Sequence, residues 1–210
     1  ISYSLKREII QSLKTSKITR TFLNNSQLLL MDQILNKLDL YYYISDKKYE
    51  FIYDKGKGGY SNGYSSSSDY NNPNGYFKVH IGKNQSDVIN ARQSEFDGDD
   101  GLLANFLKIP DCCSKAFLKV LKNDKIIQND FTLPLTDRYF NKVDYWSINC
   151  AQYFGYGLVS HFPCKTNCAK TSLLSKENLN LINNFSKKMG VEFLRYQKGN
   201  YLYTEYDGIF

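Results

Sequence analysis

Two short fragments constrain this chain more than any other feature. They are Ile109-Pro110-Asp111-Cys112-Cys113 and Ser160-His161-Phe162-Pro163-Cys164-Lys165-Thr166-Asn167-Cys168, and together they hold four of its five cysteines. Each places a proline just ahead of cysteine, and each is followed by a run with helical spacing. Proline is favoured at the first helical position, where its missing N–H costs nothing. Helices starting at both fragments put the thiols in a first turn, at the positive end of the helix dipole, which favours thiolate. Cys164 and Cys168 are four apart and share one helix face, with His161 three residues before them. The group offers three soft ligands within eight residues. Cys112, with or without Cys113, completes the set if the two fragments meet in space.

The donor types fit two metals. Zinc accepts three cysteines and a histidine tetrahedrally. A [4Fe–4S] cluster is held by thiolates, and three of them leave one iron open for substrate. The expected ligands are therefore Cys112, Cys113, Cys164 and Cys168, with His161 as a further ligand or as the catalytic acid/base. The spacing lacks the paired CxxC knuckles of a zinc ribbon and the CxxxCxxC of a radical-SAM site. Cys113 also falls on the apolar stripe of residues 111–122 with Ala116, Phe117, Val120 and Leu121, which suits a small buried hydrophobe. Cys112 lies about 100° around the helix from it. Two other readings use the same residues. Cys112 or Cys164 is a nucleophile with His161 as its base, or a bridge such as Cys112–Cys164, or plain packing, is purely structural. No partner spacing singles out Cys150, which is read as core.

Composition narrows the setting. A chain of 210 residues suits one large domain, or a domain with a helical arm. Apolar residues make up 42% and charged residues 23%, so a folded core is expected. The net charge of +6 sits at the two ends: six basic against three acidic side chains in residues 1–39, and seven against four in 165–210. That mild basicity permits an anionic partner, nucleic acid included, without demanding one. No apolar run approaches a membrane span, and ISYSLKREII lacks the layout of a signal peptide. An odd number of cysteines, two of them adjacent, fits a disulfide framework poorly and predicts a reducing, cytoplasmic setting.

Along the chain, Leu5, Ile9, Ile10 and Leu13 mark an amphipathic helix with Arg7 on another side. Ser26 is expected to cap a second helix, so that residues 1–39 form a helical arm and 40–210 an α+β domain. Residues 40–53 read as a β-hairpin about Ser45-Asp46-Lys47-Lys48. The Gly/Ser/Tyr segment 55–75 reads as a mobile loop and candidate lid. In YFKVHIG (76–82), Phe77, Val79 and Ile81 share one face and Lys78 and His80 the other, taken as the solvent face. Helices follow from Ser86 and from Asp99 or Asp100, and residues 123–142 look irregular. Asp144 caps a short helix, and 155–162 reads as a strand delivering His161. A long helix from Cys164 ends at Gly190, and VEFLRYQ with YLYTEY forms a C-terminal hairpin. The fold class is α+β: a small antiparallel sheet covered by helices, with the cysteine site at two converging helix N-termini.

The fragments IPDCCSKAF and LVSHFPCKTNCAKTS resemble an uncharacterised family of archaeal and bacterial proteins with G-x-P-x-C-C-x-x-F and H-x-P-C-x-x-x-C-x-x-S elements. The resemblance covers roughly residues 95–185 and carries to Pro110, Cys112, Cys113, Phe117, His161, Pro163, Cys164, Cys168 and Ser172. Lys108 stands in place of the glycine, and Phe117 and Ser172 each fall one residue beyond the pattern. What the resemblance implies is a shared cysteine site, not a known reaction.

These observations lead to a metal-dependent protein, an enzyme in the first instance, whose thiolate-held iron–sulfur cluster or zinc keeps an open position as Lewis acid. Its partner is then a small-molecule substrate. The alternatives are a non-enzymatic module with a structural metal or disulfide that binds a protein partner, and a cysteine-nucleophile enzyme.

Overall fold

The computed structural model describes residues 2–51, 64–66, 69–121, 143–201, 203–204 and 208–209. The expectations for 123–142 and for most of the 55–75 loop therefore lie outside the described residues. The class is α+β, and the chain divides into two compact units.

One unit holds the described residues from Gln11 to Lys108. Its sheet has the order β1 (Thr19–Leu23), β4 (Tyr76–Gly82), β2 (Tyr41–Phe51), β3 (Tyr64–Ser66), with every pairing antiparallel. The strand β4 is paired along both edges, and six of its seven residues are buried, so packing covers both of its faces as well. On one face Phe77, Val79 and Ile81 join the core that includes Leu23, and α2 (Asn25–Lys37) contributes buried Met31 and Leu35. The other face carries Lys78 and His80 and is covered by α3 (Gln85–Phe96). The short helix α4 (Asp100–Phe106) follows, capped by Asp99 as its sequence predicts.

Three expectations change here. A strand, β1, occupies residues 19–23, where helix was read on either side and nothing between. The predicted hairpin of 40–53 is one long strand with an irregularity between Ile44 and Lys48. The polar run that reads as a turn is a bulge, and Ser45 repairs it by accepting the Lys78 N–H on its hydroxyl at 3.1 Å. Helix α2 is capped by Asn24 rather than Ser26, through a reciprocal capping box with Gln27.

The second unit holds the described residues up to Ile10 and from Ile109 onward. It contains the first part of α1 (Tyr3–Lys14), α5 (Asp111–Leu121), two short 3-10 turns (Tyr145–Ser147 and Cys150–Phe154), α6 (Ala169–Phe185) and α7 (Lys187–Gln197). Its core joins Ile10, Leu158, Leu179, Ile182, Met189 and Phe193, with Trp146 packed against it. Arg7, off the apolar stripe, is nonetheless buried: its guanidinium donates to the carbonyls of Gly157 and Val159 and pairs with Glu8. Residues 155–162 consequently run as irregular backbone held by side chains, not as a strand. VEFLRYQ is helical, because Met189, Phe193 and Gln197 recur at helical spacing on the buried side. Its predicted hairpin partner is instead part of a separate ladder, β5 (Tyr203–Thr204) with β6 (Gly208–Ile209). Gly190 sits inside α7, where a Cβ would meet Asn183 Oδ1 at 1.8 Å, so it permits close approach rather than ending a helix.

Gly157 is similarly confined: a Cβ there would lie 2.6 Å from Gln152 Cβ and 2.8 Å from its Cα. Backbone cannot yield as a flexible side chain does. Gly157→Ala should therefore cost about 1–3 kcal/mol, read as a lowered thermal midpoint.

Candidate metal centre

The sulfur atoms of Cys112, Cys113, Cys164 and Cys168 lie within 4.8 Å of one another. The two distant fragments do meet. Measured edges are 3.9 Å (Cys112–Cys113), 3.8 Å (Cys112–Cys168) and 3.7 Å (Cys113–Cys168). All five cysteines are free thiols, and Cys150 stands outside the group.

Local structure explains the convergence. Pro110 supplies the carbonyl that accepts the N–H groups of Cys113 and Ser114, at 2.8 and 3.0 Å, so α5 begins with both cysteines in its first turn. Lys108, at the motif's glycine position, has φ of 53°, the left-handed conformation that favours glycine. On the other side, α6 begins at Ala169 rather than at Cys164. Cys168 is its N-cap, yet its thiol makes no capping hydrogen bond and faces the other sulfurs. Cys164 lies in the preceding loop, which is held by the Asp144 N–H and the Ser147 hydroxyl on the Thr166 carbonyl, at 2.9 and 2.5 Å. The cluster thus sits at two helix starts, with one ligand delivered by a pinned loop.

The electrostatics differ between the thiols. Burial pushes the Cys113 thiol well above its ordinary range, although the Thr171 hydroxyl and the Cys164 N–H act the other way. Cys164 is pushed up to about 11, first by burial and then by neighbouring sulfurs. Burial also opposes ionisation of Cys168. There the hydroxyl and N–H of Thr171, with the neighbouring thiols, prevail and lower it to about 7. The expectation of easy ionisation at these thiols thus fails for Cys113 and Cys164, while Cys168 is lowered through Thr171, in the first turn of α6, and its sulfur neighbours. A bound cation would reverse the burial effect, since a coordinating thiol is deprotonated outright.

His161 is buried and outside the four-sulfur group. Its Nε2 lies 3.0 Å from Thr171 Oγ1, which lies 3.3 Å from Cys113 Sγ. The imidazole therefore reaches the sulfurs through Thr171. Asn149 donates to the His161 carbonyl at 2.9 Å, and Asn178 to that of Leu158 at 2.8 Å, fixing the segment that carries it. Sequence reasoning missed Thr171, whose position three residues after Cys168, in a helix first turn, is the signal that could have found it.

The donor set fits a metal. Zinc–sulfur bonds of ~2.3 Å require tetrahedron edges of ~3.8 Å, which the edges of the Cys112, Cys113 and Cys168 face bracket, and Cys164 Sγ lies within 4.8 Å of all three. No helix among the described residues is long and apolar enough to cross a membrane. No family model, curated protein or solved structure matches the chain, so the site rests on its own geometry.

Proposed function

We propose that Cys112, Cys113, Cys164 and Cys168 hold one zinc ion in a closed tetrathiolate centre, and that the chain is a binding protein whose metal is structural. The three edges near 3.8 Å among Cys112, Cys113 and Cys168, with Cys164 Sγ within 4.8 Å of each, carry this reading. In a [4Fe–4S] cluster each thiolate binds a different iron, so its sulfurs stand farther apart than around a single ion. Four protein ligands also fill a tetrahedral zinc and leave no position for substrate, the arrangement of structural rather than catalytic sites. Zinc would neutralise half the charge of four thiolates and cross-link α5 to α6. The Thr171 hydroxyl and the N–H groups of Thr171 and Cys164 would offset the remainder by donating to sulfur. His161, acting through Thr171, is a positioning residue. The basic chain ends suit a partner with an acidic surface.

The test is metal content. Protein purified without chelator should carry one zinc per chain, and its cobalt(II) form should show the visible bands of a tetrahedral tetrathiolate. A folded, metal-free protein with all five thiols titratable would overturn the proposal. So would four irons per chain.

A further inference from the structure

A second cluster of buried charged groups lies on the α3-facing side of the central strand β4, in the other unit. Sequence alternation puts Lys78 and His80 on one face, read as solvent-facing, but they are 6% and 2% exposed. Glu95 of α3 explains why. Its Oε1 accepts from Arg20 at 2.6 Å and from Lys78 Nζ at 2.9 Å, and its Oε2 lies 2.9 Å from His80 Nε2. The Nε2 contact with Glu95 is not an aligned hydrogen bond, and His80 Nδ1 has no hydrogen-bond partner among the described residues. A buried ring nitrogen left in that state costs free energy that a ligand can recover.

A cavity of about 410 Å³ opens against this cluster, with Lys78, His80 and Glu95 in its wall beside Lys47, Arg92 and Phe96. Three cations in the wall (Lys47, Lys78 and Arg92), and Arg20 paired with Glu95 from outside it, make four against two carboxylates, Glu95 and Asp46. Glu95 is already engaged by Arg20 and Lys78. Asp46, the partner of Arg92, is 64% exposed, so water screens its hold. The surplus is two positive charges at a small, half-buried cavity. Phe96 is 70% exposed beside this polar wall, an apolar surface that no other described residue covers.

We propose that this cavity binds a small phosphomonoester bearing a planar ring. The phosphate dianion would balance the surplus charge between Lys78, Arg92 and His80, and the ring would lie on Phe96. Glu95 acts as the anchor that holds Lys78 and His80 in place. Carboxylates carry one charge and match the site less well.

The experiment uses the full chain with its metal, titrated with phenyl phosphate, inorganic phosphate and benzoate by calorimetry and by amide NMR shifts. Phenyl phosphate should bind saturably and more tightly than the other two, with shifts confined to residues 45–49, 78–80 and 92–96. Arg92→Gln should weaken it about tenfold, the scale of one charge-assisted hydrogen bond. Phe96→Ala should bring it down to the affinity of inorganic phosphate. If Arg92→Gln alters the melt, the exposed Lys47→Ser substitutes for it and should weaken binding while leaving the fold intact. No saturable binding at millimolar phenyl phosphate would overturn the proposal. Equal affinity in the charge variants, or tighter binding of benzoate, would overturn it too.

Discussion

Cys113→Ser should leave the chain without its metal and the unit built on Ile10, Leu158, Ile182 and Phe193 unfolded. A structural zinc contributes roughly 10–16 kcal/mol of apparent binding free energy in small domains, and that energy is folding energy. Total stability of a domain is about 5–15 kcal/mol, so loss of the metal exceeds what packing alone can hold. Serine keeps the volume but not the soft thiolate, and Cys113 is fully buried on the core stripe, so the variant also leaves a buried polar group. The chain's single tryptophan, Trp146, packs against that core and reports on this unit directly. Its fluorescence should take the unfolded position in Cys113→Ser and after strong chelation of the wild type. Cys150→Ser, outside the sulfur group, should retain the metal and the native signal. A native Trp146 spectrum in metal-free Cys113→Ser would show that the centre contributes little to folding.

Glu95→Ala should destabilise the other unit by about 3–5 kcal/mol, because it strands the cations that the carboxylate pairs while buried. Burial by itself opposes the charge on Glu95. Contact with His80 and the charges of Arg20 and Lys78 prevail and lower its pKa from 4.5 to about 2. The folded value is below the unfolded one. The contribution is therefore complete above about pH 4.5 and is lost as pH falls toward 2, on the order of 3 kcal/mol in all. The side chain is 15% exposed, so little of this is screened. Hydrogen-exchange protection factors (the intrinsic rate at each pH divided by the observed rate) at the amides of Phe77, Val79 and Ile81 should fall over that acid range in the wild type. In Glu95→Gln, which cannot ionise, that fall should flatten. An unchanged acid profile in Glu95→Gln would contradict the assignment.

The cysteine centre was readable because its information is local. Proline before a helical run and adjacent cysteines place Cys112 and Cys113 in the first turn of α5 as read, whereas Cys164, read on one helix face with Cys168, reaches the group from the pinned loop before α6. Cys113 fits both its readings, since a ligand at a helix start can also lie on the core stripe. What escaped depends on contacts between distant residues. The run Ser45 to Lys48 has turn composition, yet the strand passes through it, because the Ser45 hydroxyl replaces a missing ladder partner and Lys48 Nζ reaches the Asn72 carbonyl at 2.8 Å. Lys48 is 2% exposed, with its ammonium over the ring of Phe77, so a charged residue read as part of a turn is buried in the strand. Arg7 and His80 misled for the same reason: polarity in sequence marks a need for a partner, not a place in water. In 191–197 a short apolar pattern suited strand as well as helix, and the Ser186 cap decided for helix by accepting the Met189 N–H.

The proposal of a closed zinc centre is tested most directly by X-ray absorption at the zinc edge, on protein purified without chelator. One zinc per chain is expected, with four sulfur neighbours at ~2.3 Å and no nitrogen or oxygen bound to it. A nitrogen or oxygen neighbour would mean an open or mixed site. An iron edge with short iron–iron scattering in place of zinc would contradict the single-ion centre altogether.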